Sequence, residues 1–160
     1  MNPGEYEAMF KVEDRHWWYV GLRDEIMRCL ERYSPGKSLE EGPLRLLDAG
    51  CGTGGLLDYL RRVNGQRLIG MDIAWEGLER SKSRHLQNLL QGSVTGLPFK
   101  RDTFDVITNI DVLCHTTVDE RKALLEFHRV LRPKGIVVFQ VPAFEWLRSE
   151  HDTAVFTRKR

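Results

Sequence analysis

Apolar runs and amphipathic stretches alternate along most of the chain. Leu44-Arg45-Leu46-Leu47-Asp48-Ala49 is a short apolar run that ends in an acid, and Gly50, Gly52, Gly54 and Gly55 follow it closely. That pattern predicts a strand, a tight turn and a helix start. Leu56, Leu57, Leu60 and Val63 then lie at helical spacing, with Asn64-Gly65 as the stop. Residues 67–73 read as a buried strand ending in Asp72, 74–85 as a helix, 89–94 as a weak third strand and 103–109 as a fourth. Thr117 to Leu131 predicts an amphipathic helix with Leu124, Leu125, Phe127, Val130 and Leu131 on its apolar side. Arg132-Pro133-Lys134-Gly135 stops it before a fifth strand over 136–141. Strands interleaved with helices predict an α/β fold, a doubly wound parallel sheet in the order 3-2-1-4-5 with right-handed crossovers.

Ahead of this core, residues from about Tyr6 to Tyr33 form a charged, aromatic-rich leader. Apolar positions 22, 26, 27, 29 and 30 approach a helical stripe. Ser34-Pro35-Gly36 ends it, and the polar segment to Pro43 reads as a connector. The whole suits a single domain: leader and connector over 1–43, core over 44–141 and a C-terminal segment over 142–160.

Composition narrows the partners. Of the 160 residues, 24 are basic and 23 acidic, a formal net charge of +1 that implies no general grip on nucleic acid or on an anionic membrane. No stretch approaches the roughly 18 apolar residues of a membrane helix, and the acidic N-terminus lacks the features of a signal peptide. Cys29, Cys51 and Cys114 are isolated and odd in number, with no spacing that suggests zinc or another metal or a disulfide framework. Such cysteines fit a reducing cytoplasm.

The chemistry concentrates at the glycines. They let the backbone take positive φ and let a ligand approach where a Cβ would block it, while the next helix offers unpaired amide donors. Gly50, Gly52 and Gly55 also satisfy the dinucleotide fingerprint, so the glycines alone leave the nucleoside ligand open. Asp48, at the strand tip, favours a ligand that carries a cation there, because a pyrophosphate would repel it. Asp48-x-Gly50-x-Gly52-x-Gly54 resembles motif I of the class I S-adenosylmethionine-dependent methyltransferases, whose loop wraps the amino acid half of the cofactor.

Further residues carry the resemblance. The leader is similar to the His-Trp-Trp segment of the family's type 11-like small-molecule branch, followed by an arginine. It implies a lid or acceptor wall from His16, Trp17 and Trp18 and a cofactor-carboxylate contact from Arg23; packing of the leader onto the domain is the alternative. Gly96-Leu97-Pro98-Phe99 and Leu131-Arg132-Pro133-Lys134-Gly135 also match family turns. The resemblance implies S-adenosyl-L-methionine as cofactor, with S-adenosyl-L-homocysteine as product. It assigns Asp48, Ala49, Gly50, Cys51, Gly52 and Gly54 to the amino acid end. Asp72 would serve the ribose, as its place at a strand tip also suggests. Ile73, Ser93, Val94 and Asn109 complete the surroundings. Ser93 stands where the family commonly has an acid for the adenine amine, and a neutral hydroxyl is the weaker partner. Asp111 and His115, after the fourth strand, are the candidates for the reacting centre, His115 with an ordinary pKa suited to general-base work. Ile110 and Asp111 replace the prolines of the Asn-Pro-Pro-Tyr motif of DNA amino-methylating enzymes.

The function expected is methyl transfer to a small-molecule acceptor. A cofactor-binding domain without turnover, an RNA or protein methyltransferase and a nicotinamide oxidoreductase are the competing classes. After Val141 too few residues remain for the family's sixth and seventh strands, which implies a shortened chain. Strand five would then be an exposed sheet edge through which a second copy could pair.

Overall fold

The computed structural model describes residues 1–33, 43–63 and 67–158. The expected connector over 34–42 and the helix stop at Asn64-Gly65 lie outside the described residues. In chain order the elements are α1 (Pro3–Val12), α2 (Trp17–Tyr33), β1 (Arg45–Ala49), α3 (Gly55–Val63), β2 (Arg67–Asp72), α4 (Trp75–Ser83), β3 (Leu89–Gln91), β4 (Phe104–Ile110), α5 (Glu120–Val130) and β5 (Leu131–Gln140). A short 3-10 turn (Glu145–Leu147) and α6 (Glu150–Ala154) follow.

The strands form one parallel sheet in the order β3-β2-β1-β4-β5. Side chains alternate across it, so neighbours in sequence serve opposite layers. Leu47 and Ile107, paired across β1 and β4, face a core completed by Phe104, Ala123, Phe127 and Val130 beneath α5. Leu46 and Val106, also paired, face the other way onto Ile26, Met27, Leu30, Leu57, Leu60 and Leu78 from α2, α3 and α4. Helices therefore cover both faces, as a parallel sheet with apolar residues on both sides requires.

Several expected elements need correction. The leader carries a separate helix, α1, whose apolar pattern is too weak to show in the sequence; Tyr6 is its buried residue. On α5 the buried positions are Ala123, Phe127 and Val130, whereas Leu124 and Leu125 are exposed. The spacing of 123, 127 and 130 is the helical stripe, and 124 and 125 fall off it. The third strand stops at Gln91, and just beyond it the Ser93 and Thr95 hydroxyls meet at 2.8 Å. The turn expected at Arg132–Gly135 is a bulge within β5. Phe104 pairs with Leu131 but Val106 pairs with Ile136, and Lys134 takes φ +68°.

The loop after β3 is held by α5. Arg129 donates to the carbonyls of Phe99 at 2.7 Å and Leu97 at 2.8 Å, while Glu126 accepts from Leu97 N at 2.7 Å. Phe99 stands edge-on to Phe104 with centroids 4.9 Å apart. Among the described residues, β5 has no strand on its outer side, and Phe139 there is exposed. No helix among them is long and apolar enough to cross a membrane.

Phe127 is fully buried between α5 and the sheet. Phe127→Ala should cost about 3–5 kcal/mol of unfolding free energy. Chemical denaturation measures it, and a loss below about 1 kcal/mol would contradict this core assignment.

Candidate active site

The carboxyl ends of β1, β2 and β4 meet at one rim of the sheet, where an open α/β sheet offers its ligand crevice. The β1–α3 loop crosses this rim with Gly50 at φ +96°, Gly52 at +51° and Gly54 at +77°. At Gly50 a side chain is excluded twice, by φ and by Val112, whose Cγ2 would lie 2.2 Å from an added Cβ. The next strand fixes the loop. Gly50 N and Cys51 N donate to Met71 O at 2.7 and 3.0 Å. The Asp72 carboxylate accepts from Gly52 N through one oxygen and from Ala74 N through the other, each at 2.8 Å.

A cavity of about 760 Å³ opens above this loop. Its floor includes Asp48, Gly50, Cys51, Gly52 and Asp72, and its far end Asp111, His115 and Gln140. Leader residues Tyr6, Met9, Trp18 and Tyr19 line it from one side, and Phe144, Leu147 and Thr157 from the other. The C-terminal segment is stitched to the loop after β4: Thr116 N donates to Phe156 O at 3.0 Å and Arg158 N to Cys114 O at 2.8 Å. Both ends of the chain thus wall a space whose floor is the sheet.

Asp48 is 2 % exposed, and its carboxylate accepts the Thr108 hydroxyl at 2.7 Å. Burial drives its pKa up to about 7, with Thr108 pulling the other way and the charge of Asp72 adding to the rise. Burial also raises Asp72, against the amides of Ala74 and Gly52 that hold its charged form. His115 is lowered, first by burial and then by the charge of the amino terminus, so its imidazole is neutral at pH 7 and can accept a proton. Cys114 is pushed up to about 11, chiefly by burial, which leaves a thiol rather than a nucleophilic thiolate. Asp111 takes φ +55°, an uncommon conformation for a residue with a side chain, and its N donates to Gln140 O at 2.9 Å. With its amide turned to satisfy both groups, Gln140 also donates to the two Asp111 oxygens at 2.8 and 3.0 Å.

The expected site residues divide. Asp48, Gly50, Cys51, Gly52, Asp72, Asp111 and His115 share the cavity, as do His16, Trp18 and Arg23 of the leader. The others do not line it. Ala49 and Val94 are core residues, and Gly54 packs against Ser81 and Leu86. Ile73 is exposed beside the β2 tip, and the Ser93 hydroxyl meets Thr95. Asn109 is fully buried, and its Nδ2 donates to Ala49 O at 2.5 Å, which ties β4 to β1. Trp17, 74 % exposed, faces solvent instead of covering the site or packing the leader. Ile26, Met27 and Leu30 do that packing.

Sequence reasoning missed Glu13, Thr53, Arg84 and Gln140. Glu13 accepts from Arg84 at 2.8 Å and from the Thr53 hydroxyl, and Arg84 also donates to Thr53 O at 3.0 Å. These contacts join residues 31 to 71 positions apart, and no local spacing announces them. Among the described residues no group of three or more His, Cys, Asp or Glu side chains is arranged to hold a metal ion.

Residues 47–139 match the family model described as a methyltransferase domain. A protein of Methanocaldococcus jannaschii is 32% identical over 85% of this chain and 49% of its own length. The glycine/sarcosine/dimethylglycine N-methyltransferase of Actinopolyspora halophila is 32% identical over 61% of this chain and 18% of its own. The chain therefore spans about half or less of these relatives. Among solved structures, DesVI of Streptomyces venezuelae superposes with a TM-score of 0.71 at 20% identity, over 93% of this chain and 61% of that one, a likeness of fold.

Between pH 3.8, its ordinary value, and about 7, Asp48 keeps its proton in the fold but loses it in the unfolded chain. The native state then binds more protons, so this group's contribution to stability is full below that window and falls as pH rises through it. Asp48→Asn, which cannot ionise, should therefore gain stability relative to the wild-type chain across that window, with the difference levelling above it. Denaturation midpoints at several pH values check this, and a pH-independent difference would contradict it.

Proposed function

Because the chain belongs to this methyltransferase family, with S-adenosylmethionine as its cofactor, we propose that it transfers a methyl group to a small-molecule acceptor by in-line displacement. The observation that carries the reading is the single cavity running from the glycine loop and Asp72 to Asp111 and His115. At about 760 Å³ it lies within the roughly 300–1,000 Å³ of small-ligand sites. The residues fit the cofactor. Gly50 leaves backbone bare where a Cβ would clash, buried carboxylates offer partners to a cation, and each Asp72 oxygen has a second lone pair beyond its amide bond.

The bound cofactor supplies a methyl group already made electrophilic by its sulfonium. The chain's own residues then have three tasks. The glycine loop and Asp48 hold the amino acid end, Asp72 accepts from the ribose hydroxyls, and Ile73 offers an apolar surface beside the β2 tip. Arg23 pairs with the cofactor carboxylate. Leader and C-terminal residues exclude water and align the acceptor, which is where proximity contributes most. His115, neutral near pH 7, takes a proton at an imidazole nitrogen when the acceptor arrives protonated, with Asp111 lining the same cavity.

The relative from Actinopolyspora halophila, named for N-methylation of glycine, sarcosine and dimethylglycine, supports a small acceptor, as does the near-zero net charge. One observation favours a second reading, cofactor binding without turnover: the Ser93 hydroxyl is engaged by Thr95 rather than turned to the cavity.

Calorimetric titration with S-adenosylhomocysteine and a labelled-methyl assay over a panel of small amines and alcohols separate the readings. The chain should bind the nucleoside, and Asp72→Ala should weaken it by about 1.5–3 kcal/mol, the range for hydrogen bonds to a charged group. Label transfer that His115→Ala slows roughly a hundredfold or more, at unchanged nucleoside affinity, supports the base. Binding with no transfer to any acceptor supports the second reading; no binding overturns both.

A further inference from the structure

Glu13 is a heavily engaged side chain of the leader, although neither helical periodicity nor the glycine motif accounts for it. It follows α1 and is 6 % exposed. Its Oε1 accepts from both the Thr53 hydroxyl and Arg84. Arg84 is shared. Its Nη1 also lies 3.0 Å from Asp14, while the more distant Asp58, 3.9 Å away, is paired by Arg61 and Arg62, so Arg84 serves Glu13 and Asp14 together.

The other oxygen lies against the glycine loop. A Cβ built on Gly55 would stand 2.1 Å from Glu13 Oε2 and 3.3 Å from Arg23 Nη1. An anionic oxygen and a guanidinium nitrogen therefore converge on bare backbone at the start of α3, and Glu13, Arg23 and Gly55 all line the cavity. Arg23 is fixed there. Its Nη2 donates to the Glu13 carbonyl at 2.8 Å, Asp14 lies 3.7 Å from its Nη1, and its side chain is 11 % exposed. Opposite charges side by side at a glycine complement an α-amino acid, whose ammonium suits the carboxylate and whose carboxylate suits the planar guanidinium fork.

We propose that Glu13 Oε2 binds the α-ammonium of the cofactor's amino acid end while Arg23 binds its carboxylate, so that the leader selects for an intact amino acid end. The proposal rests on the cavity being the S-adenosylmethionine site. Binding at Oε2 leaves Oε1 with Thr53 and Arg84, so leader and loop stay joined when the ligand arrives.

Three probes test it by calorimetry on this chain: S-adenosylhomocysteine, its decarboxylated analogue, which keeps the ammonium, and 5′-methylthioadenosine, which has neither charged group. Glu13→Gln should lower affinity for the first two by about tenfold or more and leave methylthioadenosine within about twofold. Arg23→Met should weaken S-adenosylhomocysteine alone. Unchanged affinities in Glu13→Gln would overturn the proposal and reduce Glu13 to a fastener of the leader. Equal weakening of all three probes would also overturn it, because a disturbed fold does not distinguish ligand ends. A wild-type chain that binds none of the probes overturns the cofactor reading itself, whereas wild-type binding with an indifferent Glu13→Gln removes only the role of Glu13.

Discussion

The geometry of the site depends on one buried carboxylate. Asp72, 7 % exposed at the tip of β2, spends its two oxygens on the amides of Gly52 and Ala74, one in the glycine loop and one at the entry to α4. A loop with three glycines in the left-handed region is entropically costly to order. Charge-assisted bonds from Asp72, together with the Met71 carbonyl that takes Gly50 N and Cys51 N, hold it in one shape over the sheet. Burial raises the pKa of Asp72 and of its neighbour Asp48, a cost to their charged forms that a cation bound at the rim would offset.

A second set of charges joins the leader to that loop. Glu13, Thr53 and Arg84 bridge the turn after α1, the loop before α3 and the end of α4, and Arg84 also stacks over Phe10 with its guanidinium carbon 4.7 Å from the ring centre. Such buried pairs are weak evidence for net stability but strong determinants of arrangement, since breaking one partner leaves a charge stranded. They set α1 and the start of α2 over the cavity, where Tyr6, Trp18 and Tyr19 form a wall. The C-terminal segment meets the opposite side through the His115–Thr157 bridge.

The core was legible because its determinants are local. The alternation of Leu46 and Leu47, the acid ending each of the first two strands and the glycine spacing all lie within a few residues, and the sheet has the expected order and direction. Asp48, Asp72, Asp111 and His115 were expected near strand ends for the same reason, and all four line the one cavity there. What escaped depends on distance in sequence. The Glu13 contacts span 40 and 71 residues, and α1 earns its helix from packing Tyr6 and pairing charges with α4 rather than from a clear apolar stripe. Asn109 was expected as a ligand contact from its place at the end of β4, and what no local pattern announces is that its Nδ2 donates to Ala49 O across the sheet. Trp17 and Trp18 are adjacent in sequence, yet helical rotation turns one to solvent and the other to the cavity.

In the proposed function the rim between β1 and β2 holds the nucleoside, with its amino acid end over the glycine loop. A crystal structure of the chain with S-adenosylhomocysteine tests this most directly. Ribose hydroxyls should lie within hydrogen-bonding distance of Asp72, and the amino acid end across Gly50 and Gly52, reaching toward Glu13 and Arg23. Density for the nucleoside elsewhere, or an unoccupied glycine loop at saturating ligand, would contradict it.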